Sequence, residues 1–246
     1  MAIAYDSTSD WLEYASGPTG TCTVAGYFQV QTALKISTFA CLASHAPAAN
    51  LGNASSVLML DNTGAIYGWV TSAVDLGVTA SVGDWVFAAI TRDGTGDPST
   101  VWRVHAAKQG AASLSSSANL SNAGWNLTGN RIQIATSPYA AAGSEHLVGT
   151  SGPIWVYDSV LTPAELDAQR KQLAPVKTAW LYVPGNLTGT DRAKDQSGNA
   201  RDFTTNGTLA DTTDIVFANA ALLSGTVTMS DAISSVSGVP PILRRR

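Results

Sequence analysis

The apolar residues of this chain come in short runs, each ended by a turn signal, and that spacing admits strands far more readily than helices. Val57-Leu58-Met59-Leu60 stops at Asp61-Asn62-Thr63-Gly64, and Ala65-Ile66-Tyr67-Gly68-Trp69-Val70 resumes. This is a hairpin around residues that tolerate positive φ. Residues 21–30 and 34–42 read as two further strands. Asp84-Trp85-Val86-Phe87-Ala88-Ala89-Ile90 is nearly continuous in apolar side chains, so it should lie centrally and be covered on both faces. Val101-Trp102-Arg103-Val104-His105 and Arg131-Ile132-Gln133-Ile134 alternate with period two, and each should be half exposed. Residues 113–126, rich in Ser and Asn, read as a surface loop, and residues 222–229 as a closing strand.

One helix is signalled. Thr162 supplies an N-cap hydroxyl, Pro163 occupies the first helical position, and Glu165 stands three residues after the cap. Leu161, Leu166, Ala168 and Leu173 would supply its buried stripe, and Pro175 limits its end. The expected helix is short, near residues 162–173. The pattern as a whole is that of an all-β, two-sheet antiparallel sandwich.

Composition narrows the function classes. Only 13% of the 246 residues are charged, the formal net charge is -4, and Ala, Gly, Ser and Thr together account for 110 positions. Scattered, weakly acidic charge excludes an electrostatic nucleic-acid footprint. Seven Trp and seven Tyr in a low-charge chain exclude intrinsic disorder. No apolar run approaches the roughly 20 residues that span a bilayer. The start, Met1-Ala2-Ile3-Ala4-Tyr5-Asp6, lacks the basic and apolar regions of a secretory signal, so the expectation is synthesis in the cytoplasm without export. Cys22 and Cys41 are expected as two buried thiols, because a core of this size needs no covalent staple. Five Asn-x-Ser/Thr sequons, at Asn53, Asn119, Asn126, Asn186 and Asn206, follow from the Ser/Thr-rich composition and are not read as glycosylation sites. A single domain over residues 1–233 is expected, with residues 179–230 completing its strands and loops. Residues 234–246 would form an extended arm.

The order of elements then resembles a known family. Gly152-Pro153-Ile154-Trp155-Val156-Tyr157-Asp158-Ser159-Val160-Leu161-Thr162-Pro163-Ala164-Glu165-Leu166 resembles the closing strand-and-helix signature of laminin-G-like, concanavalin A-like sandwich domains. Thr23-Val24-Ala25-Gly26-Tyr27-Phe28 and Val82-Gly83-Asp84-Trp85-Val86-Phe87-Ala88-Ala89 resemble two earlier strands of that family, the second with the family's histidines replaced. Asp195-Gln196-Ser197-Gly198-Asn199-Ala200-Arg201-Asp202-Phe203 resembles a segment often attached to such domains, here after the sandwich instead of before it. The resemblance covers roughly residues 20–205. It implies a jelly-roll of two antiparallel sheets, often with a concave face or rim loops that bind glycan. Members include glycan-binding modules, adhesion domains and virion surface proteins, so the fold alone leaves function open.

Candidate chemistry is sparse. Glycoside hydrolysis needs two carboxyl groups flanking one bond. The chain has three Glu, at 13, 145 and 165, no strand with two acids at spacing two, and a capping role for Glu165. His45, His105 and His146 show no metal-ligand spacing, and no nucleophile elbow or phosphate-binding glycine loop is present. The chain is therefore read as non-enzymatic, without a cofactor. Calcium, which some laminin-G-like domains bind, would have Asp191, Asp195 and Asp202, or Asp61, as ligands; the favoured role for these acids is hydrogen bonding to turn amides, and no metal is assigned. Glycan contact is expected from Asp61 and Asn62 with Tyr67 and Trp69 after their turn, from Asn122 and Trp125, and from Tyr139. Trp85 and Trp155 are assigned to the core. Pro240, Pro241, Ile242, Leu243, Arg244, Arg245 and Arg246 would form an assembly arm.

The leading expectation is a non-catalytic bacteriophage virion protein, of decoration or fibre type, displayed on the virion surface. Its partners would be copies of itself, other virion subunits and surface glycans, with no nucleic acid and no membrane. A stand-alone carbohydrate-binding lectin is the alternative, and a glycoside hydrolase ranks last because it lacks its acids.

Overall fold

Strand-length apolar runs need partners for both their backbone groups and their apolar faces, and two stacked antiparallel sheets satisfy both needs. A computed structural model describes residues 2–7, 9–30, 39–47, 56–69, 73–94, 101–121, 130–136 and 146–212. In chain order the strands are β1 (Ala2–Tyr5), β2 (Trp11–Tyr14), β3 (Cys22–Val30), β4 (Phe39–Pro47), β5 (Ser56–Asp61), β6 (Ala65–Trp69), β7 (Ala73–Thr79) and β8 (Trp85–Asp93). They continue as β9 (Val101–Lys108), β10 (Ser115–Ser116), β11 (Leu120–Ser121), β12 (Asn130–Ile134), β13 (Gly149–Tyr157), β14 (Leu181–Val183), β15 (Thr204–Asn206) and β16 (Ala210–Thr212), with one α-helix, α1 (Pro163–Gln169). The first sheet runs β10-β9-β8-β3-β13-β1-β16, with β11 also on β9 and β14 on β13; the second runs β15-β2-β12-β4-β5-β6-β7. The fold is the expected all-β jelly-roll sandwich.

The core fills the space between the sheets. Val24, Phe28, Val86, Ile90, Trp102, Val104, Ile154 and Val156 from the first sheet meet Leu12, Leu42, Leu58, Leu60, Ile66, Ile132 and Ile134 from the second. Each such side chain stabilises the fold by about 1.5–3 kcal/mol when fully removed from water. The sheets approach closely at Gly68 of β6, where a Cβ would lie 2.1 Å from the Val104 side chain. β8 is central, paired with β3 and β9, and buried from Trp85 to Arg92, as its apolar run predicts.

A second apolar layer covers the first sheet from outside. Tyr27, Phe87 and Trp155 alternate with core-facing residues and cluster with ring centroids 5.4–6.5 Å apart. Residues 170–173 close over them: the Trp155 indole donates to the Leu173 carbonyl at 3.2 Å and the Tyr27 hydroxyl donates to the Arg170 carbonyl. Trp85 and Trp155 are buried, but neither belongs to the core between the sheets to which the sequence assigned them; Trp155 lies in this outer layer.

Three further expectations need correction. The helix spans only seven residues, with its capping box between Thr162 and Glu165 intact. Leu173, 44% exposed, and Ala168, exposed, do not belong to a buried stripe. Gln169 and Arg170 are buried instead: the Gln169 amide holds the following turn through the Gln172 and Ala174 carbonyls and the Val176 amide, and the Arg170 guanidinium donates to the Ala111 and Ala112 carbonyls. Residues 115–121, read as loop, contribute two short strands that pair with β9. His105 and Gln133, on strands expected to be half exposed, are nearly fully buried. Cys22 and Cys41 are both free and buried, as expected. Met1–Ile215 form one compact unit. The expected strand at 222–229, the 233/234 boundary and the arm lie outside the described residues.

Candidate functional site

The hairpin joining β5 to β6 is a product of its turn residues. Gly64 adopts φ +85°, and the Asp61 carboxylate accepts hydrogen bonds from the Thr63 amide at 2.8 Å, the Thr63 hydroxyl at 2.7 Å and the Ala65 amide at 2.9 Å. Burial alone would raise the Asp61 pKa, but these donors outweigh it and hold the carboxyl below its ordinary value. Asn62 is exposed at the tip.

Beyond the turn, β6 alternates. Ile66 enters the core and Gly68 faces Val104, so Tyr67 and Trp69 project from the outer face of the second sheet, each half-buried. Two residues apart on one strand, they stand about 6.5 Å from each other. Trp69 rests on buried Met59 and Cys41, which fixes its orientation. Asp75 of β7 lies directly opposite Tyr67. Burial, then the Asp75 and Asp61 charges, raise the pKa of the Tyr67 hydroxyl, so it stays protonated and able to donate. Tyr67, Trp69, Asp61 and Asp75 thus share one corner of the outer face.

The same face continues across the sheet. Cross-strand register aligns Thr204 with Glu13, Glu13 with Gln133 and Gln133 with Ser44. The Gln133 amide donates to the Glu13 carboxylate at 2.9 Å, and Arg131 lies 3.7 Å from it. Glu13, Arg131, Gln133 and Asp75 are absent from the sequence-based candidates. The period-two pattern of residues 131–134 signals Arg131 and Gln133 as outward-facing, but nothing local to β2 reveals that Glu13 is their neighbour. Asn122, Trp125 and Tyr139 lie outside the described residues, as do Pro240 to Arg246.

The acids considered for calcium have other occupations. The Asp195 carboxylate accepts from the amides of Tyr182, Ser197 and Arg201 and from the Ser197 hydroxyl, at 2.7–3.0 Å. Asp202 accepts from the Asp195 amide at 2.9 Å, and Asp191 pairs with Lys194 at 2.6 Å. Arg201 lies over the Trp180 ring at 4.0 Å and donates to the Trp180 carbonyl at 2.6 Å. This loop is a clasp that ties residues 195–202 to the strand at Leu181–Val183. Among the described residues, no group of three or more His, Cys, Asp or Glu side chains is placed to hold a metal ion.

Two buried titratable groups beside Arg92, Cys22 and His45, are kept neutral. The Cys22 thiol, 3.5 Å from His45 Nδ1, is pushed up to about 12 by burial, and burial with the Arg92 charge pushes His45 down to about 3. Of the three Glu, Glu13 lies on the outer face of the second sheet, Glu165 closes the capping box and pairs with Lys177 at 2.6 Å, and Glu145 lies outside the described residues. Glu13 and Glu165 therefore have different partners on different elements.

No protein-family model and no curated protein matches the chain. Solved structures do. A heptameric SAP-like pentraxin from Limulus polyphemus aligns with a TM-score of 0.55 at 12% identity, over 85% of this chain and 92% of that one. A protein from Bacteroides ovatus proposed to bind carbohydrate aligns with a TM-score of 0.55 at 14% identity, over 87% of this chain and 61% of that one. The sialidase of Trypanosoma rangeli, in complex with the inhibitor DANA, aligns with a TM-score of 0.50 at 10% identity, over 69% of this chain and 27% of that one. At these identities the likeness is one of fold: the chain has the two-sheet jelly-roll sandwich that these structures share.

Proposed function

We propose that this chain is a non-catalytic, lectin-like module that binds carbohydrate on the outer face of its second sheet. The observation that carries the reading is the corner where Tyr67 and Trp69 present half-exposed rings beside Asp61 and Asp75. Aromatic faces stack on the apolar face of a pyranose, while carboxylates and a protonated phenol grip its hydroxyls. The Limulus pentraxin and the Bacteroides protein support the reading by fold alone. Screening the purified chain on a glycan array, with Tyr67→Ala and Trp69→Ala beside it, tests the proposal.

A second reading makes the module a subunit of a larger assembly, a decoration or fibre-type protein of a bacteriophage virion surface. It is favoured by β7, which ends the second sheet with one charged residue, Asp75, and neither Lys nor Pro to block strand addition. Native sizing separates the two: a fixed oligomer or particle supports assembly, and a monomer opposes it.

A further inference from the structure

On the opposite side of the sandwich, the outer faces of β8 and β9, Asn119 and residues 160–163 at the start of α1 enclose a cleft of about 280 Å³. That volume is close to the low end of the roughly 300–1,000 Å³ typical of small-molecule sites. Its polar lining comes from Thr91, Asp93, Arg103, His105, Asn119 and Thr162. We infer that this cleft is a ligand site for an acidic monosaccharide, whose carboxylate would be held by Arg103 and whose hydroxyls by Asp93 and Asn119.

The arrangement of charge carries the inference. The Arg103 Nε donates to Asn119 Oδ1 at 2.6 Å, which fixes the guanidinium plane. Among the described residues its two terminal nitrogens have no hydrogen bond or ion pair, although seven of the ten described Lys and Arg are paired with an acid. A guanidinium held at Nε with its terminal nitrogens unused matches a carboxylate in bidentate fashion. Asp93 lines the same cleft one register step away, since Asp93 faces Val101 and Thr91 faces Arg103, yet no ion pair joins Asp93 to Arg103. Two opposite charges that share a cleft without neutralising each other suit a ligand that is anionic at one end and rich in hydroxyls at the other.

The floor is rigid. His105 Nε2 lies 3.0 Å from the Thr91 hydroxyl and His105 Nδ1 lies 2.7 Å from the Ser116 hydroxyl, so both ring nitrogens are occupied and the imidazole cannot turn. Val160 and Leu161 supply an apolar wall for the ring carbons. The inference is independent of the Tyr67 corner, which lies on the other sheet.

Titrating the labelled protein with glucuronate, glucose and acetate by two-dimensional NMR tests it. Glucuronate should saturate with a dissociation constant of about 1–10 mM, the range expected for one ion pair and a few hydrogen bonds. Arg103→Ala should weaken glucuronate binding about 10- to 100-fold, and Arg103→Lys, which keeps charge but not the fork, about 10-fold. Asp93→Ala should weaken glucuronate but strengthen acetate, while Tyr67→Ala should change neither. Acetate binding as tightly as glucuronate would reduce the cleft to an adventitious anion site and overturn the proposal. So would the absence of saturation, or unchanged glucuronate binding in folded Arg103→Ala and Arg103→Lys.

Discussion

Trp155 of β13 and Tyr182 of β14 stack at an interplanar angle of 5°, and both donate to the carbonyl of Leu173, at 3.2 and 3.1 Å. One backbone oxygen thus joins the turn after α1 to two neighbouring strands of the first sheet. Removing the larger partner, Trp155→Ala, should cost about 3–5 kcal/mol through lost burial and the cavity left behind. Tyr182→Phe, which deletes only a hydroxyl, should cost about 0.5–1.5 kcal/mol. Urea denaturation of the two variants checks the ratio, and equal costs would mean that the stack contributes little beyond its hydrogen bonds.

The Asp195 clasp makes a different kind of prediction. Asp195→Ala orphans three backbone amides at once, so a loss of about 2–4 kcal/mol is expected, and Asp195→Asn should recover part of it. Because that carboxylate is already saturated by protein donors, millimolar calcium should leave the melting temperature unchanged relative to chelator. A calcium-dependent rise of several degrees, abolished by Asp195→Ala, would instead make the loop a metal site.

What was legible in the sequence follows the range of the interactions. The 61–64 turn, the Thr162–Glu165 capping box and the hydrogen bond from the Ser197 amide to Asp195 all depend on residues within a few positions of each other, and all read correctly from their local pattern. The helix end did not, because it depends on Gln169 reaching Ala174 and Val176 across the next turn. The layer of Tyr27, Phe87 and Trp155 was legible as buried but not as outside the two-sheet core, since alternation reveals two faces without saying which faces the other sheet. Buried Arg92 was not foreseen; it ends an apolar strand and lies over the Trp102 ring at 5.3 Å, a pairing between strands that no single segment encodes. For the candidate site, the hairpin supplied Asp61, Tyr67 and Trp69, whereas Asp75 joins them only through register.

Acid should destabilise the fold early. Burial first, then a neighbouring arginine, pushes His45 down to about 3 and His105 down to about 4, while both take about 6.5 in the unfolded chain. Between pH 6.5 and 4 the unfolded state therefore binds protons that the folded state refuses, so stability rises with pH across that window and levels off above it. Urea midpoints measured from pH 7.5 down to 4.5 should fall steadily, and His105→Asn should flatten the fall. A midpoint that stays constant to pH 4.5 would contradict the buried, neutral state of both rings.

The most direct measurement for the central claim is the change in glycan binding on removing the ring of Tyr67, which lies on the outer face and outside the two-sheet core. For the glycan that the array identifies, calorimetry should show Tyr67→Ala weakening binding by about 5- to 50-fold, the loss expected for one aromatic stacking contact, with the melting temperature nearly unchanged. Undiminished binding in a folded Tyr67→Ala and Trp69→Ala double variant would contradict the account and place the sugar elsewhere on the sandwich.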